Sequence, residues 1–485
     1  MREKRGEWYL PNSELKIPGK LYIDEDNKKI ILHLFTSTYL SGNAIERQTS
    51  DEDWYNEIIL GTGINSLTTL YSCTFYSDSP VKKGFHELKY EVEYIFDRVH
   101  INSNQNLLLN NISISFPNMR TFFDGFKSIS GDDIEEQYYK LDREILINEN
   151  FKIILSDSKQ KIISTRKDYK IKHSKSVDFV YQKPVDFNII NKDCYTFLRM
   201  LEFSSRKNLA FKIKHARLDM KNVSQYSENI YIQNNGKIEK PKFATTFIYS
   251  KLNFKEDIFL DTKKWHQNFL LFSGWSESTE ELDRIIKKWY SNEKLMPVYD
   301  FYIDSNNWFR GKVALSNVMF NNKFLNLIQG LEAYYDFIDP SYTYTNEEFT
   351  KTRQEVLNKL GNPDLKSWTE EHLSYPKKST LTYKLSHLCN KYKKIISRFF
   401  LEDDFIKKYP NEAKEFRHKL SHGRIDKTYQ GTKMDDCYKF SQLLLCICLL
   451  DSLDMNFDRI IDRIGTNPDL NHMIGDIKNS IKNNS

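Results

Sequence analysis

The chain has 485 residues, too many for one hydrophobic core, so we expect two or three domains. Hydrophobic residues make up 40% of the sequence and aromatic residues 14%, which excludes a disordered chain. The formal net charge is only +5, which excludes a polycationic protein that binds nucleic acid over its whole surface.

The chain start, the apolar runs and the cysteines favour a soluble protein. Residues 1–9 are rich in charge, so we expect no signal peptide. The longest wholly apolar stretch, Leu443 to Leu450, is far shorter than the roughly 20 residues that span a bilayer. The six cysteines lack the spacing of zinc ligands. We therefore predict a cytoplasmic protein with no membrane contact, no metal and no other cofactor.

Residues 1–256 alternate between apolar and polar positions, a period typical of strands with one buried face. Leu88 to Phe96 shows the pattern most clearly. Residues 20–23 and 30–35 flank a polar turn and predict a hairpin. Many short strands separated by polar turns predict a β-rich, sandwich-like domain. Its further strand candidates are residues 67–76, 112–116, 151–155, 177–181 and 243–249.

From residue 257 the apolar positions take helical spacing. We expect a helical connector over residues 257–310 and an all-α bundle over residues 311–485. The fold class is therefore α+β and multidomain. The expected helices of the bundle are residues 313–337, 349–360, 381–399, 403–422 and 435–464.

Positive charge is concentrated in the bundle. Residues 376–433 contain 15 Lys and Arg against 6 Asp and Glu, an excess of +9 that leaves −4 for the rest of the chain. Such a basic segment fits contact with a phosphate backbone, although a Lys-rich solvated face would look the same. The side chains that we expect to contact RNA are Lys414, Lys419, Arg424 and Lys427.

A hexad inside this segment carries the residues best suited to chemistry. It reads Arg417-His418-Lys419-Leu420-Ser421-His422, with Gly423 directly after it, and no other Arg in the chain is followed by His five residues later. On a regular helix Arg417 and His422 are about 140° apart, so we expect the helix to end at Gly423 and free His422 to turn. Arg417 and Ser421 share a face. By spacing alone, a solvated helix end is the alternative.

The residue types of the hexad suit metal-free cleavage of RNA. RNA carries its own nucleophile, the 2′-hydroxyl, beside the scissile phosphate. An imidazole can accept the hydroxyl proton or protonate the leaving 5′-oxygen. A guanidinium can hold the phosphate and stabilise its developing charge. Because one histidine cannot easily be both acid and base, two copies of the chain in a dimer would complete the site.

The hexad resembles the Arg-polar-x3-His signature of HEPN ribonucleases. The segment Gln329 to Tyr335 is similar to the opening helix of the ApeA-like HEPN branch. The N-terminal residues Gly6 to Pro11 and Pro18 to Tyr22 resemble the β-rich region of ApeA-type proteins. The resemblance spans nearly the whole chain.

The resemblance implies a toxic, metal-independent endoribonuclease of an anti-phage abortive-infection system. Such an enzyme cuts RNA such as tRNA, acts as a homodimer or larger homo-oligomer with motifs facing across one interface, and senses a phage-derived trigger through its N-terminal domain. Arg417 would bind the phosphate, His418 would be the polar second position and His422 the catalytic histidine. Glu332 and Ser421 would support them.

Two other functions are compatible with the sequence. A non-catalytic dimerising sensor could carry a degenerate HEPN bundle. A carbohydrate-binding or carbohydrate-hydrolysing sandwich could use Trp8, Trp54 and Tyr55, although such aromatics are more often core residues. Asp51, Glu52 and Asp53 are typical of a loop rather than a glycosidase pair. His100, His266 and His387 have no partners at metal spacing, and we interpret them as ordinary histidines.

Overall fold

The computed structural model describes residues 2–11, 13–24, 29–37, 55–63, 66–82, 84–101, 107–116, 119–123, 140–163, 169–207, 209, 211–226, 232–234, 237–239, 243–250, 267–274, 276–306, 317–339, 346–372, 380–400, 403–422 and 432–484. It forms two compact units. The N-terminal unit comprises Met1–Leu201, Asn208–Gln267 and Ser273–Asp283, and the helical unit comprises Glu202–Lys207, Asn268–Phe272 and Arg284–Ser485. The domain limits drawn from the sequence at residues 256 and 311 remain predictions.

The N-terminal unit is built from strands that pair antiparallel with their neighbours, together with helices α1 (Met119–Phe123) and the start of α2 (Phe187–Ser205). The strands are β1 Arg2–Tyr9, β2 Ile17–Asp24, β3 Lys29–Ser37, β4 Tyr55–Gly63, β5 Ser66–Lys82, β6 Phe85–Asp97, β7 Val99–Ile101, β8 Leu108–Ser115, β9 Lys140–Asn148, β10 Phe151–Ile163, β11 Tyr169–Asp186, β12 Lys212–Asp219, β13 Val223–Tyr226, β14 Ile232–Asn234, β15 Lys237–Glu239 and β16 Phe243–Ser250.

The first six strands close into a barrel. Their order is β3-β2-β1-β4-β5-β6, and β6 pairs again with β3 through Leu32 opposite Tyr90 and Leu34 opposite Leu88. Closure leaves these strands no free edge between β3 and β6 and buries one face of each strand. Trp8 is one of the buried residues that fill the interior, and a Cβ at Gly61 would overlap its ring, so only glycine fits at that position.

The sheet continues from β6 through β16, β12, β8, β11, β10 and β9. Ile112, Ile114 and Phe179 are buried on one of its faces, and Phe179 makes an edge-on contact with Phe197 of α2. The sequence pattern predicted these strands because alternation reports one buried face. It does not distinguish a sandwich from a barrel, because both bury one face of every strand, and the sandwich-like arrangement takes the form of a barrel with an extended sheet.

The helical unit follows, so the predicted α+β order of a β-rich region before a helical region is confirmed. Helix α3 Thr279–Ser291 begins within the residues of the N-terminal unit. The helices after it are α4 Met296–Asn306, α5 Asn317–Ile338, α6 Asn346–Lys359, α7 Pro363–His372, α8 Leu381–Lys391, α9 Lys393–Phe399, α10 Asp403–Ser421, α11 Thr432–Asp451, α12 Phe457–Thr466 and α13 Pro468–Asn484. Helix α11 is the centre of the helical unit, with Leu443 to Leu450 fully buried, and it packs against α4, α5, α10, α12 and α13.

Two of the predicted helices are each divided in two, and helices α1, α2, α7 and α13 were not predicted. The segment 381–399 is α8 and α9, separated at Tyr392, and the segment 435–464 is α11 and α12, separated near Asp454. Asp454 has a φ of 59°, which ends a right-handed helix. Helix α7 lacks an apolar stripe in the sequence, whereas α13 has one, because Leu470, Met473, Ile474 and Ile477 recur at helical spacing and are buried. Among the described residues, no helix combines the length and the apolar character that crossing a membrane requires.

Candidate functional site

Helix α10 carries the hexad and is fixed to the bundle along one side. Its buried residues include Tyr409, Ala413 and Phe416. The Tyr409 hydroxyl lies 2.7 Å from Oγ of Ser441 on α11, and the Phe416 ring contacts Phe324 of α5 edge-on. Because these residues recur every three or four positions, the opposite side of the helix faces solvent. The end of α10 is therefore held in place while its polar side chains stay accessible.

Arg417 of α10 forms an ion pair with Glu332 of α5. Nη2 of Arg417 lies 3.0 Å from Oε2 of Glu332 on α5. The Arg417 side chain is 41% exposed and that of Glu332 is 22% exposed. A carboxylate fixes the orientation of a guanidinium through charge-assisted hydrogen bonding. The guanidinium has further N–H donors that can bind a phosphate. Glu332 was selected from the sequence by resemblance alone, and the structure brings it into contact with Arg417.

His418 and His422 lie against each other at the end of α10. Their ring centroids are 4.5 Å apart with an interplanar angle of 62°, and both residues are exposed. The backbone N–H of His422 donates to the carbonyl oxygen of His418 at 3.2 Å, so helical hydrogen bonding continues to His422. This contact was not predicted from the sequence, although side chains four residues apart are neighbours on a helix.

The helix therefore presents its polar residues on two sides. The histidine pair is one group, and Arg417 with Ser421 is the other, because adjacent residues are rotated by about 100° on a regular helix. Ser421 is exposed. The predicted release of His422 depends on Gly423, which lies outside the described residues.

The four side chains predicted to contact RNA differ in exposure and in whether the structure describes them. Lys414 is exposed, and Lys419 forms an ion pair with Glu415 at 2.5 Å. Arg424 and Lys427 lie outside the described residues. Elsewhere in the basic segment, Lys391 pairs with Asp451 at 2.9 Å. Part of the positive charge is thus matched by acidic neighbours, and Lys414 is the predicted contact that combines exposure with a described position.

The residues considered for a sugar or metal site do not form one in the described parts of the chain. Trp8 is 2% exposed, so it is a core residue as expected. Trp54, His266, Asp51 to Asp53 and the Tyr55 side chain lie outside the described residues. Nε2 of His100 lies 2.8 Å from the Gly61 carbonyl oxygen, and burial lowers the pKa of this histidine. The His387 ring contacts Tyr335 edge-on. Within the described ranges, no three His, Cys, Asp or Glu side chains are grouped as metal ligands.

Comparison with protein families gives two matches. The model of the ApeA N-terminal domain 1 matches residues 3–289, which is more than half of the chain. The model of the Apea-like HEPN domain matches residues 325–459, a range that contains both Glu332 and the hexad. Neither the search of curated proteins nor the search of solved structures found a match.

Proposed function

The chain belongs to the ApeA-like HEPN family, and from this premise we propose that it is a metal-independent endoribonuclease of an abortive-infection system. HEPN proteins are generally ribonucleases that bind RNA and dimerise, and an ApeA-like HEPN domain indicates a nuclease-type function in anti-phage defence. We also propose the substrate and the reaction. The enzyme cuts RNA such as tRNA by attack of the 2′-hydroxyl on the neighbouring phosphate.

The observation that carries this proposal is the accessible end of α10. It presents Arg417, anchored by Glu332, and the exposed ring of His422. Arg417 binds the non-bridging phosphate oxygens and stabilises the charge that builds on them. His422 transfers a proton at the 2′-oxygen or the 5′-oxygen. The products are a 2′,3′-cyclic phosphate and a 5′-hydroxyl, and neither step needs a metal ion.

We further propose that the active form is a homodimer. Arg417 and His422 point to different sides of one helix, so a single phosphate contacts both more easily when two copies of α10 face each other. A dimer also gives the site two basic segments for the RNA backbone. The N-terminal unit senses a phage-derived trigger, because an RNase that was always active would kill its own cell.

Purified wild-type protein incubated with total cellular RNA in EDTA tests this function. We expect discrete cuts whose ends are a 2′,3′-cyclic phosphate and a 5′-hydroxyl. The same reaction with lysate of phage-infected cells supplies the trigger. Cleavage that needs added Mg²⁺ would contradict the metal-independent reaction. No cleavage under either condition would favour the non-catalytic dimerising sensor.

Replacing Glu332 by Gln is expected to lower kcat/KM for RNA cleavage by roughly 10-fold to 100-fold. The neutral amide cannot hold the guanidinium in one orientation, so Arg417 samples positions that miss the phosphate. Cleavage assays on Glu332→Gln, Arg417→Ala and the double variant measure the effect. Because Glu332 acts through Arg417, its replacement should add no loss in the Arg417→Ala background.

The matched control is Glu415→Gln, which removes an exposed ion pair with Lys419 on the same helix. It should change kcat/KM by less than about twofold, because an exposed pair contributes little. Equal losses from Glu332→Gln and Glu415→Gln, or a full further loss in the double variant, would show that Glu332 does not position Arg417.

Replacing Lys414 by Gln is expected to weaken RNA binding and to reduce the salt dependence of that binding. Each lysine that neutralises one phosphate contributes a slope of about 0.7 to 0.9 in log K against log salt. Binding of the wild type and the variant is measured by titration at several salt concentrations. Lys478→Gln is the control, since Lys478 is exposed on α13. Equal slopes for all three proteins would place Lys414 outside the RNA contact.

A further inference from the structure

The contact between His418 and His422 gives one copy of the chain two imidazoles at the same helix end. We propose that these two side chains divide the proton transfers of RNA cleavage, one acting as the general base and the other as the general acid. This inference rests on the proposed ribonuclease function. It makes His418 a catalytic residue in its own right, where the family pattern asks only for a polar side chain.

The geometry fits a shared phosphate. In an in-line displacement the attacking 2′-oxygen and the leaving 5′-oxygen lie on opposite sides of phosphorus, so two separate proton carriers are needed. The ring centroids are 4.5 Å apart and the ring planes are inclined at 62°, so both imidazoles lie close enough together to serve one phosphate group. No side-chain hydrogen bond holds either ring within the described chain, and both residues are exposed. Each imidazole is therefore available to substrate.

The reaction balances with these two groups alone. The neutral imidazole accepts the proton of the 2′-hydroxyl as its oxygen bonds to phosphorus. The bond between phosphorus and the 5′-oxygen breaks, and the imidazolium gives its proton to that oxygen. The pair ends with its protonation states exchanged, and exchange with water restores them. The cycle therefore starts from one neutral imidazole and one imidazolium.

Several charged groups around the pair form ion pairs with each other. On α10 itself, Glu415 pairs with Lys419 and Arg417 pairs with Glu332, while Lys414 is exposed one turn before His418. Helices α5, α8 and α11 pack against α10. Among their charged side chains, Lys384 pairs with Asp336, Lys391 with Asp451, and Lys439 with Asp435 and Asp476. Of the others, Lys323 and Asp436 are buried and Lys433 is exposed. None of these contacts includes either imidazole.

The test uses an RNA that contains the mapped cleavage site, made once with normal chemistry and once with sulfur in place of the bridging 5′-oxygen. A thiolate leaves without a proton, so cleavage of the sulfur substrate needs no general acid. On normal RNA, His418→Asn and His422→Asn should each lower kcat by roughly 10²–10⁴-fold. On the sulfur substrate, one variant should recover to within about tenfold of the wild-type rate, and the other should not.

The pH profile of kcat/KM provides the second measurement. The wild type should show a bell with two limbs, and each asparagine variant should lose a different limb. His472→Asn, at an exposed histidine of α13, should keep the bell and full activity on both substrates. A variant with a merely structural defect would cleave both substrates more slowly by the same factor, and the shape of its pH profile would match that of the wild type.

The outcomes separate the two proposals. Wild-type protein that cuts no RNA overturns the ribonuclease function and this inference with it. Wild-type protein that cuts RNA together with a fully active His418→Asn overturns this inference alone. If the cleavage rate recovers on the sulfur substrate for both variants, or for neither, the division of roles between the two histidines is also overturned. Recovery of only one variant supports the division of roles and identifies that histidine as the acid.

Discussion

Replacing His422 by Ala is expected to lower the rate of RNA cleavage by roughly 10²–10⁴-fold, the range that removal of a general acid or base produces. Alanine at this position can neither accept nor donate the proton, and no nearby side chain duplicates both transfers. The residue is exposed at the end of α10. The fold should therefore be maintained, because substitutions of exposed residues usually change stability by less than about 0.5 kcal/mol.

The measurement compares wild type and His422→Ala on total RNA in EDTA, with thermal unfolding of both proteins recorded beside it. His472→Ala is the matched control, because its imidazole is also exposed on a helix of the same unit and touches only Asp476 at 3.2 Å in the described structure. The control should cleave at the wild-type rate. Expression toxicity should disappear with His422→Ala and persist with His472→Ala. A His422→Ala protein that keeps more than about a tenth of the activity would contradict a role in proton transfer.

The elements of this fold follow from local patterns, whereas its closure does not. Alternation from Leu88 to Phe96 predicted β6, and the polar turn between residues 20–23 and 30–35 predicted a hairpin that contains β3. The pairing of β3 with β6, which closes the barrel, joins segments about fifty residues apart and leaves no periodic signal in either. The pattern therefore shows which face is buried and cannot show which strand is the neighbour.

The candidate site likewise has one part that the sequence predicts and one part that depends on the tertiary structure. The sequence identified Arg417 and His422 by their spacing, and it contained the four-residue separation that brings His418 against His422. It could not identify the ion pair between Arg417 and Glu332 from spacing, because 85 residues separate the two positions. That contact depends on the packing of α10 against α5, which only the assembled bundle provides.

Because Arg417 and the histidine pair lie on different sides of α10, each site of a dimer can take Arg417 from one copy and the histidines from the other. If the Arg417 that binds a phosphate belonged to the same copy as the histidine pair, the substrate would have to reach around about 100° to 140° of one helix. If it belongs to the partner copy, each phosphate lies between two helix ends. In that arrangement a site needs Arg417 from one copy and His422 from the other, and each dimer contains two such sites.

This arrangement predicts that two inactive variants restore activity when they dimerise. In a mixed dimer of Arg417→Ala and His422→Ala, one site retains both side chains and the other has neither, so we expect about half of the wild-type activity per dimer. Two affinity tags on separately encoded copies isolate the mixed dimers, and RNA cleavage in EDTA is then measured. Dimers of two differently tagged Arg417→Ala copies should stay inactive. A mixed dimer without activity would mean that each site takes both residues from one copy, because in that case neither site of the mixed dimer is complete.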